Sequence, residues 1–371
     1  MPPLSIMVKP VSGACNMRCG YCFYRDVSSR REKENMGKMS PETLEALIRR
    51  AFAYADGSVS FAFQGGEPTL AGLSYFQDAV RLQKKYNARN VAVHNAIQTN
   101  GYDLTDGMIS FFAENGFLVG VSLDGDRECH DRMRLDREGN STWERVQRNI
   151  ARMARAGCMV NILTVVNRYV AQRPKETWEA LSGYGYLQFI PCLDDMDQAP
   201  SPHSLTAEDY GRFLIGTFDL YEKAWRAGRP VSVRNFDNYI GMLLGQPPEN
   251  CAMGGQCGVY YLIEADGSVY PCNFYVLDEH RMGNINVDSF HRLAVSPVAE
   301  RFRRASYPVD GACRACPYVG LCRGGCRRDR EPLNSGRDPR NRYCQAYKAF
   351  FGKCLGRMET MARDVAQAAG R

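Results

Sequence analysis

No stretch of this 371-residue sequence approaches the roughly 18 consecutive apolar residues of a membrane-spanning helix, which excludes a helical membrane protein. The N-terminal MPPLSIMVKPVSG lacks a charged-then-apolar signal pattern, so a cytoplasmic location is expected. Histidine is scarce: His94, His130, His203, His280 and His291 follow no metal-site spacing and read as structural. Low-complexity tracts and long internal repeats are missing. Charge of one sign does not dominate, with 47 basic against 41 acidic residues and a net +6. Arginines thicken at Arg301–Arg304 and Arg323–Arg330, but no aromatic-interleaved or helix-turn-helix pattern accompanies them. They read as a solvated basic face, and no nucleic-acid partner is expected.

What is abundant is cysteine, with 15 residues. A reducing cytosol does not keep so many as disulfides, and soft thiolates at short spacings favour zinc or iron–sulfur clusters over hard cations. The length predicts a catalytic domain and a smaller module.

Apolar runs alternate with helical patterns through the first half. Strands are predicted at Leu4–Lys9, Val59–Gln64, Val91–Gln98, Leu118–Leu123, Met159–Val166 and Leu187–Leu193. Ser40-Pro41 opens a helix with Leu44, Leu47, Ile48 and Phe52 on one face; Val146, Ile150 and Met153 mark another that stops at Gly157. Six strands joined by helices imply an α/β fold: a parallel sheet with right-handed crossovers, curled into a partial (β/α)6 TIM-like barrel with its chemistry at the strand C-termini. This barrel is expected over 1–197. A helical bridge over 198–250 follows, with Thr206–Asp209 as a capping pair and an apolar stripe of Phe213, Leu214, Phe218 and Tyr221. A cysteine-dense module over 251–371 completes the chain, with a hairpin about Asp266-Gly267 and a helix near 343–368.

Directly after the first strand stands Cys15-Asn16-Met17-Arg18-Cys19-Gly20-Tyr21-Cys22. Three thiolates hold three irons of a four-iron cluster and leave the fourth open to a methionine-derived chelator, whereas structural zinc normally takes four ligands in two pairs. This CxxxCxxC, with Tyr21 before its third cysteine, resembles the radical S-adenosylmethionine superfamily signature. Gly65-Gly66-Glu67-Pro68 after the second strand matches that family's second landmark, whose backbone is understood to meet the cofactor's methionyl ammonium. Gln64, Gln98, Asn100, Ser122 and Leu193, at predicted strand ends, resemble further cofactor contacts; each polar one also suits strand capping.

The C-terminal spacing is similarly specific: Cys257 and Cys272 flank Gly267, then come Cys313-x2-Cys316-x5-Cys322-x3-Cys326 and Cys344. It resembles the SPASM extension of peptide-modifying radical enzymes, with Cys251 as the remaining ligand. The resemblance implies two auxiliary clusters, one on Cys251, Cys257, Cys272 and Cys326, the other on Cys313, Cys316, Cys322 and Cys344. With the first, that makes three 4Fe-4S clusters. The competing reading of two zinc ribbons fits the CxxC pair but not the interleaving. Cys129, Cys158, Cys192 and Cys354 are left to pack as small hydrophobes.

Along nearly the whole chain the sequence resembles the anaerobic sulfatase-maturating enzymes. The markers are Lys9-Pro10, Cys22-Phe23-Tyr24, the segment from Phe61 through Gly65-Gly66-Glu67-Pro68 to Gly72, Gln98-Thr99-Asn100-Gly101 and Asp266-Gly267-Ser268-Val269-Tyr270-Pro271-Cys272. The resemblance implies conversion of a cysteine or serine in a peptide or protein substrate to formylglycine, begun by a 5′-deoxyadenosyl radical at the β-carbon. It also implies a reductant such as flavodoxin or ferredoxin and a monomeric enzyme. The family typically carries Asp after the cluster cysteine and is thought to use it as the base; here that position is Asn273. An amide has no useful basicity, so either another group substitutes, with Tyr24 and Asp278 as the local candidates, or the chemistry needs no such base, or the chain carries an altered residue. Two other readings stay open: a maturase of ribosomally made peptides that forms thioether or carbon–carbon crosslinks, and a non-catalytic iron–sulfur electron-transfer or scaffold protein. Arg234 and Asp237 in the bridge suit either substrate binding or a surface salt bridge.

Overall fold

The computed structural model describes residues 3–196, 199–307, 310–330 and 340–369; the expected boundary between 197 and 198 lies outside them. Along the chain run β1 (Leu4–Val8), β2 (Ser58–Phe63), β3 (Ala92–Thr99), β4 (Leu118–Ser122), β5 (Met159–Val166), β6 (Tyr186–Pro191), β7 (Ser232–Val233), β8 (Tyr261–Ile263), β9 (Ser268–Tyr270) and β10 (Gly283–Asn284). The chain forms two compact units. One comprises Met1–Ser122, Asp131–Val160 and Gly258–Arg303; the other comprises Leu123–His130, Asn161–Cys257 and Arg304–Arg371.

In the first unit the strand order is β10-β9-β8-β1-β2-β3-β4. The strands β1 to β4 are parallel, with Leu4 opposite Val59, Phe61 opposite Asn95 and Ile97 opposite Val119. Alternation sets their faces: Leu4, Ile6 and Val8 in β1 and Val59, Phe61 and Phe63 in β2 are buried. The crossover helix Pro41–Tyr54 starts where the sequence predicts, with Ser40 Oγ accepting from Thr43 N and Pro41 in its first turn. Under β2, Phe63, Phe76, Phe112 and Phe117 pack edge-on and stacked, with ring centroids 5.4 Å apart for Phe63–Phe76 and for Phe76–Phe112.

The predicted hairpin exists, with Gly267 at φ +85° in its turn and Leu262 opposite Tyr270. Its position was not predicted. Strand β8 pairs in parallel with β1, Ile6 opposite Tyr261, so a segment read as part of the C-terminal module extends the barrel sheet.

In the second unit, β5, β6 and β7 run parallel, with Ile162 opposite Leu187 and Leu187 opposite Val233. The two-residue β7 interrupts the predicted helical bridge and is too short to carry an alternation signal. Helices Ala207–Arg226, Arg234–Leu243 and Cys344–Ala369 pack through Phe218, Phe236, Tyr239, Phe350 and Phe351. Thr206 caps the first of them as predicted, accepting from Asp209 N. Among the described residues no helix is long and apolar enough to cross a membrane.

Phe76 is fully buried among the four rings. Phe76→Ala is expected to lower unfolding free energy by about 3–5 kcal/mol, read as a shift of the urea midpoint at unchanged slope.

Candidate active site

The cluster loop leaves β1 and ends where Cys22 precedes the helix Phe23–Ser29. Residues 133–137 pin it by backbone: Arg18 N donates to Leu135 O at 2.9 Å and Gly20 N to Met133 O at 2.8 Å. The Arg137 guanidinium donates to the Cys15 carbonyl at 2.8 Å. Arg134 places a nitrogen 3.8 Å from Cys19 Sγ and lies over the Tyr21 ring, 5.4 Å from its centroid. Cationic side chains thus attend thiolates, as a sulfur ligand set needs. Met17 N and the Asn100 amide approach Cys15 Sγ at 3.4 and 3.7 Å, while burial pushes its thiol up.

Gly65-Gly66-Glu67-Pro68 docks on this loop. Gly66 has φ +53°, and a Cβ there would lie 2.1 Å from Ala14 O; Glu67 N donates to the same carbonyl at 2.7 Å. Glu67 is buried, and its carboxylate accepts from Thr69 N at 3.1 Å, Thr69 Oγ1 at 2.7 Å, Thr99 Oγ1 at 2.8 Å and Asn100 N at 2.7 Å. Desolvation pushes its pKa up against those four donors. The side chain therefore ties the second strand's loop to the end of β3. Pro68 opens the short 3-10 turn Pro68–Ala71.

In the first unit the other predicted contacts stand at strand ends. Gln98 Nε2 donates to Ser122 Oγ at 3.1 Å, Asn100 Nδ2 donates to Asn16 Oδ1 at 2.8 Å, and Asn16 Nδ2 is buried without a protein acceptor. Gln64 follows β2, its backbone N donating to Val8 O at 2.9 Å. Leu193 follows β6 in the second unit.

Beside Cys22 lies a buried charged trio. Lys9 Nζ at 3.0 Å and Arg31 Nη1 at 2.7 Å both donate to one oxygen of Glu264. Burial pushes Lys9 below the usual amine range, opposed by Glu264 and reinforced by Arg31; the two cations hold Glu264 low despite its own burial. Lys9 also lies over the Tyr24 ring, 4.9 Å from its centroid. Tyr24 is enclosed, and desolvation holds its hydroxyl far above the usual phenol range. Asn273 Nδ2 donates to that hydroxyl at 3.0 Å, leaving Asn273 Oδ1 buried with no partner among the described residues. Asp278, the other candidate base, accepts from Glu32 N at 2.9 Å on an exposed edge.

In the second unit, Cys313, Cys316, Cys322 and Cys344 line one cavity with Tyr347. Burial, with the neighbouring thiols, pushes Cys322 up to about 11. Cys251, Cys257 and Cys326 also belong to this unit, and Cys272 to the first. Cys257 N donates to Ser306 Oγ at 2.9 Å, and Arg330 donates to Ser306 O at 2.8 Å. Among the described residues no three His, Cys, Asp or Glu side chains converge to hold one metal ion. A four-iron cluster gives each thiolate its own iron and asks for no such convergence, so the soft sulfur sets fit it. Cys129, Cys192 and Cys354 are buried as expected; Cys158 is half-buried. Asp237 accepts from Tyr221 and Ser232 hydroxyls, and Arg234 donates to Gln188 at 3.2 Å.

The radical SAM superfamily profile matches residues 10–180, and the SPASM iron–sulfur cluster-binding domain matches 251–317. A cysteine-type anaerobic sulfatase-maturating enzyme of Clostridium novyi strain NT is 41% identical over 99% of both chains. The chain belongs to the anaerobic sulfatase-maturating enzymes. A Clostridium perfringens member is 38% identical over 98% of this chain and 100% of its own. The structure of native anSMEcpe with bound AdoMet and the Cp18Cys peptide superposes with a TM-score of 0.93 at 38% identity, covering 98% of this chain and 100% of that one. The protein is thus a radical SAM, iron–sulfur enzyme of a family that modifies proteins, which removes the non-catalytic scaffold reading.

Sequence reasoning missed Arg134, Arg137 and the Arg31–Glu264 pairing. Their segments carry no motif, and the contacts span 115, 122 and 233 positions of sequence. Gly66→Ala must displace the cluster loop, and 5′-deoxyadenosine formation in the reduced holoenzyme is expected to fall about 100-fold. Glu264→Ala strands two buried cations and is expected to cost about 3–5 kcal/mol, measured by denaturant unfolding of the holoprotein.

Proposed function

We propose that this enzyme oxidises the active-site cysteine of a sulfatase to Cα-formylglycine. The observation that carries the reading is end-to-end correspondence with cysteine-type maturases, which runs through both the cluster loop and the hairpin bearing Asn273. Three 4Fe-4S clusters are proposed, on the ligand sets given above. When S-adenosylmethionine is bound and the first cluster reduced, they supply a 5′-deoxyadenosyl radical that removes a β-hydrogen from the substrate.

The chain's own residues divide the remaining work. Arg134 and Arg137 hold the cluster loop in place. Gly65, Gly66 and Pro68 offer backbone to the methionyl group, with Gln64, Gln98, Asn100, Ser122 and Leu193 as further contacts and Tyr21 beside the loop. Glu67 belongs to the same contact segment, and its carboxylate also ties that loop to the end of β3. Tyr24 and Asn273 face the substrate side chain as a hydrogen-bonded pair. A one-electron donor of flavodoxin or ferredoxin type, a monomeric state, a cytoplasmic location and the division into 1–197, 198–250 and 251–371 complete the proposal.

Anaerobic incubation of the reconstituted enzyme with a cysteine-containing sulfatase peptide, S-adenosylmethionine and reductant is expected to give an aldehyde-bearing peptide by mass spectrometry. Loss of only two hydrogens, with no reaction toward a hydrazide, would instead identify a crosslinking maturase.

A further inference from the structure

Within the second unit, the loop that carries Cys257 is held by two side chains other than the cysteines. Arg330 is buried, and its Nη2 donates to Gly255 O at 3.2 Å and to Ser306 O at 2.8 Å. Gly255 has φ +75°, and a Cβ there would lie 2.3 Å from Arg323 O, so the loop lies directly against the backbone that follows Cys322. Ser306 is fully buried. Its Oγ accepts from Cys257 N at 2.9 Å, which occupies a lone pair and leaves the hydroxyl proton to be given elsewhere. That proton goes to Cys257 Sγ, where Arg327 N is a second donor and the Arg327 and Arg330 guanidiniums add positive charge.

We propose that Ser306 raises the reduction potential of the auxiliary cluster held by Cys257, through a hydroxyl-to-sulfur hydrogen bond that favours the cluster's reduced form. The inference rests on the cluster assignment made above and not on the identity of the product. One added electron puts more negative charge on the sulfurs of a 4Fe-4S cluster, and a fixed donor or a nearby cation stabilises that form more than the oxidised one. The donor is fixed here: Cys257 N holds the Ser306 hydroxyl oxygen, Arg330 holds the Ser306 carbonyl, and burial keeps out water that would compete for the proton. The electron enters without a proton, and Ser306 keeps its hydrogen throughout. Formylglycine formation and crosslinking each release one electron after the hydrogen atom has left the substrate, and a cluster with this bond takes that electron more readily than one without it.

Cys313, Cys316, Cys322 and Cys344 line a cavity to which Ser306 does not contribute, so the second auxiliary cluster serves as an internal control. The test is a potentiometric titration of the full-length holoenzyme, followed by electron paramagnetic resonance with no substrate added. Ser306→Ala should lower the reduced-to-oxidised ratio of one cluster about tenfold at a fixed potential, a midpoint about 59 mV more negative for one electron. The other two clusters should keep their midpoints. Ser306→Cys, which keeps the shape with a weaker donor, should fall between. Iron content shows that each variant is assembled; if Ser306→Ala does not hold its iron, Ser306→Cys decides alone. Unmoved midpoints in the assembled variants, or an equal shift of all three clusters, overturn the proposal. Cys257→Ala should lose the iron of the same cluster. Retention of all its iron would overturn the ligand assignment and the proposal with it, whereas an upheld assignment with an unmoved midpoint overturns the proposal alone.

Discussion

A single carboxylate oxygen on Glu264 holds both Lys9 and Arg31, and the first unit's site is arranged about that contact. Lys9 follows the barrel's first strand, Arg31 follows the helix beyond the cluster loop, and Glu264 begins the turn of the hairpin. Ions with no access to water need close geometry, and three that share one atom leave little room for any of the segments to shift. The hairpin's attachment to β1 is therefore both a backbone ladder and an electrostatic clasp. Asn273, farther along the same hairpin, is thereby fixed against Tyr24 on the cluster-loop helix.

Glu67 performs the matching task on the other side of the loop. Its four donors come from the turn it starts and from the end of β3, so one buried anion joins two barrel strands at the depth of the cysteines. Gly66 completes the contact because a side chain there would occupy the Ala14 carbonyl's place. The placing of the cluster loop thus depends on Glu67 and Gly66, which meet it through the Ala14 carbonyl.

Much of this was legible in the sequence, and the reasons are physical. Six strands were predicted within two residues of their observed ends because buried alternation repeats every second residue, as in Leu4, Ile6 and Val8. Ser40 and Thr206 announced helix starts through a local bond to a backbone N–H three residues on. Cysteine spacing marked the cluster loop because each ligand sits on one short segment. The pairing of β8 with β1 was hidden, since a three-residue strand carries no preference for its parallel neighbour. The direction of the Glu67 carboxylate, toward Thr69, Thr99 and Asn100, was hidden, because a motif names a residue and not where its side chain points. Arg134 gave no signal at all: its meaning lies in a sulfur reached only after the chain has folded.

Asn273 is held by shape and hydrogen bonding rather than by charge. Asparagine and aspartate have nearly the same shape, and the bond to Tyr24 needs only a polar atom at the end of the side chain, so packing and hydrogen bonding place no demand on which of the two stands there. Charge does distinguish them. Beside two cations and one carboxylate, an aspartate would be held ionised and would take a proton only from a strong driving force, while an amide adds nothing to the balance and leaves the cations in excess. Cys22 lies in the same region and bears on both Lys9 and Tyr24. At position 273 packing and the bond to Tyr24 therefore fix the shape of the side chain and leave its charge open.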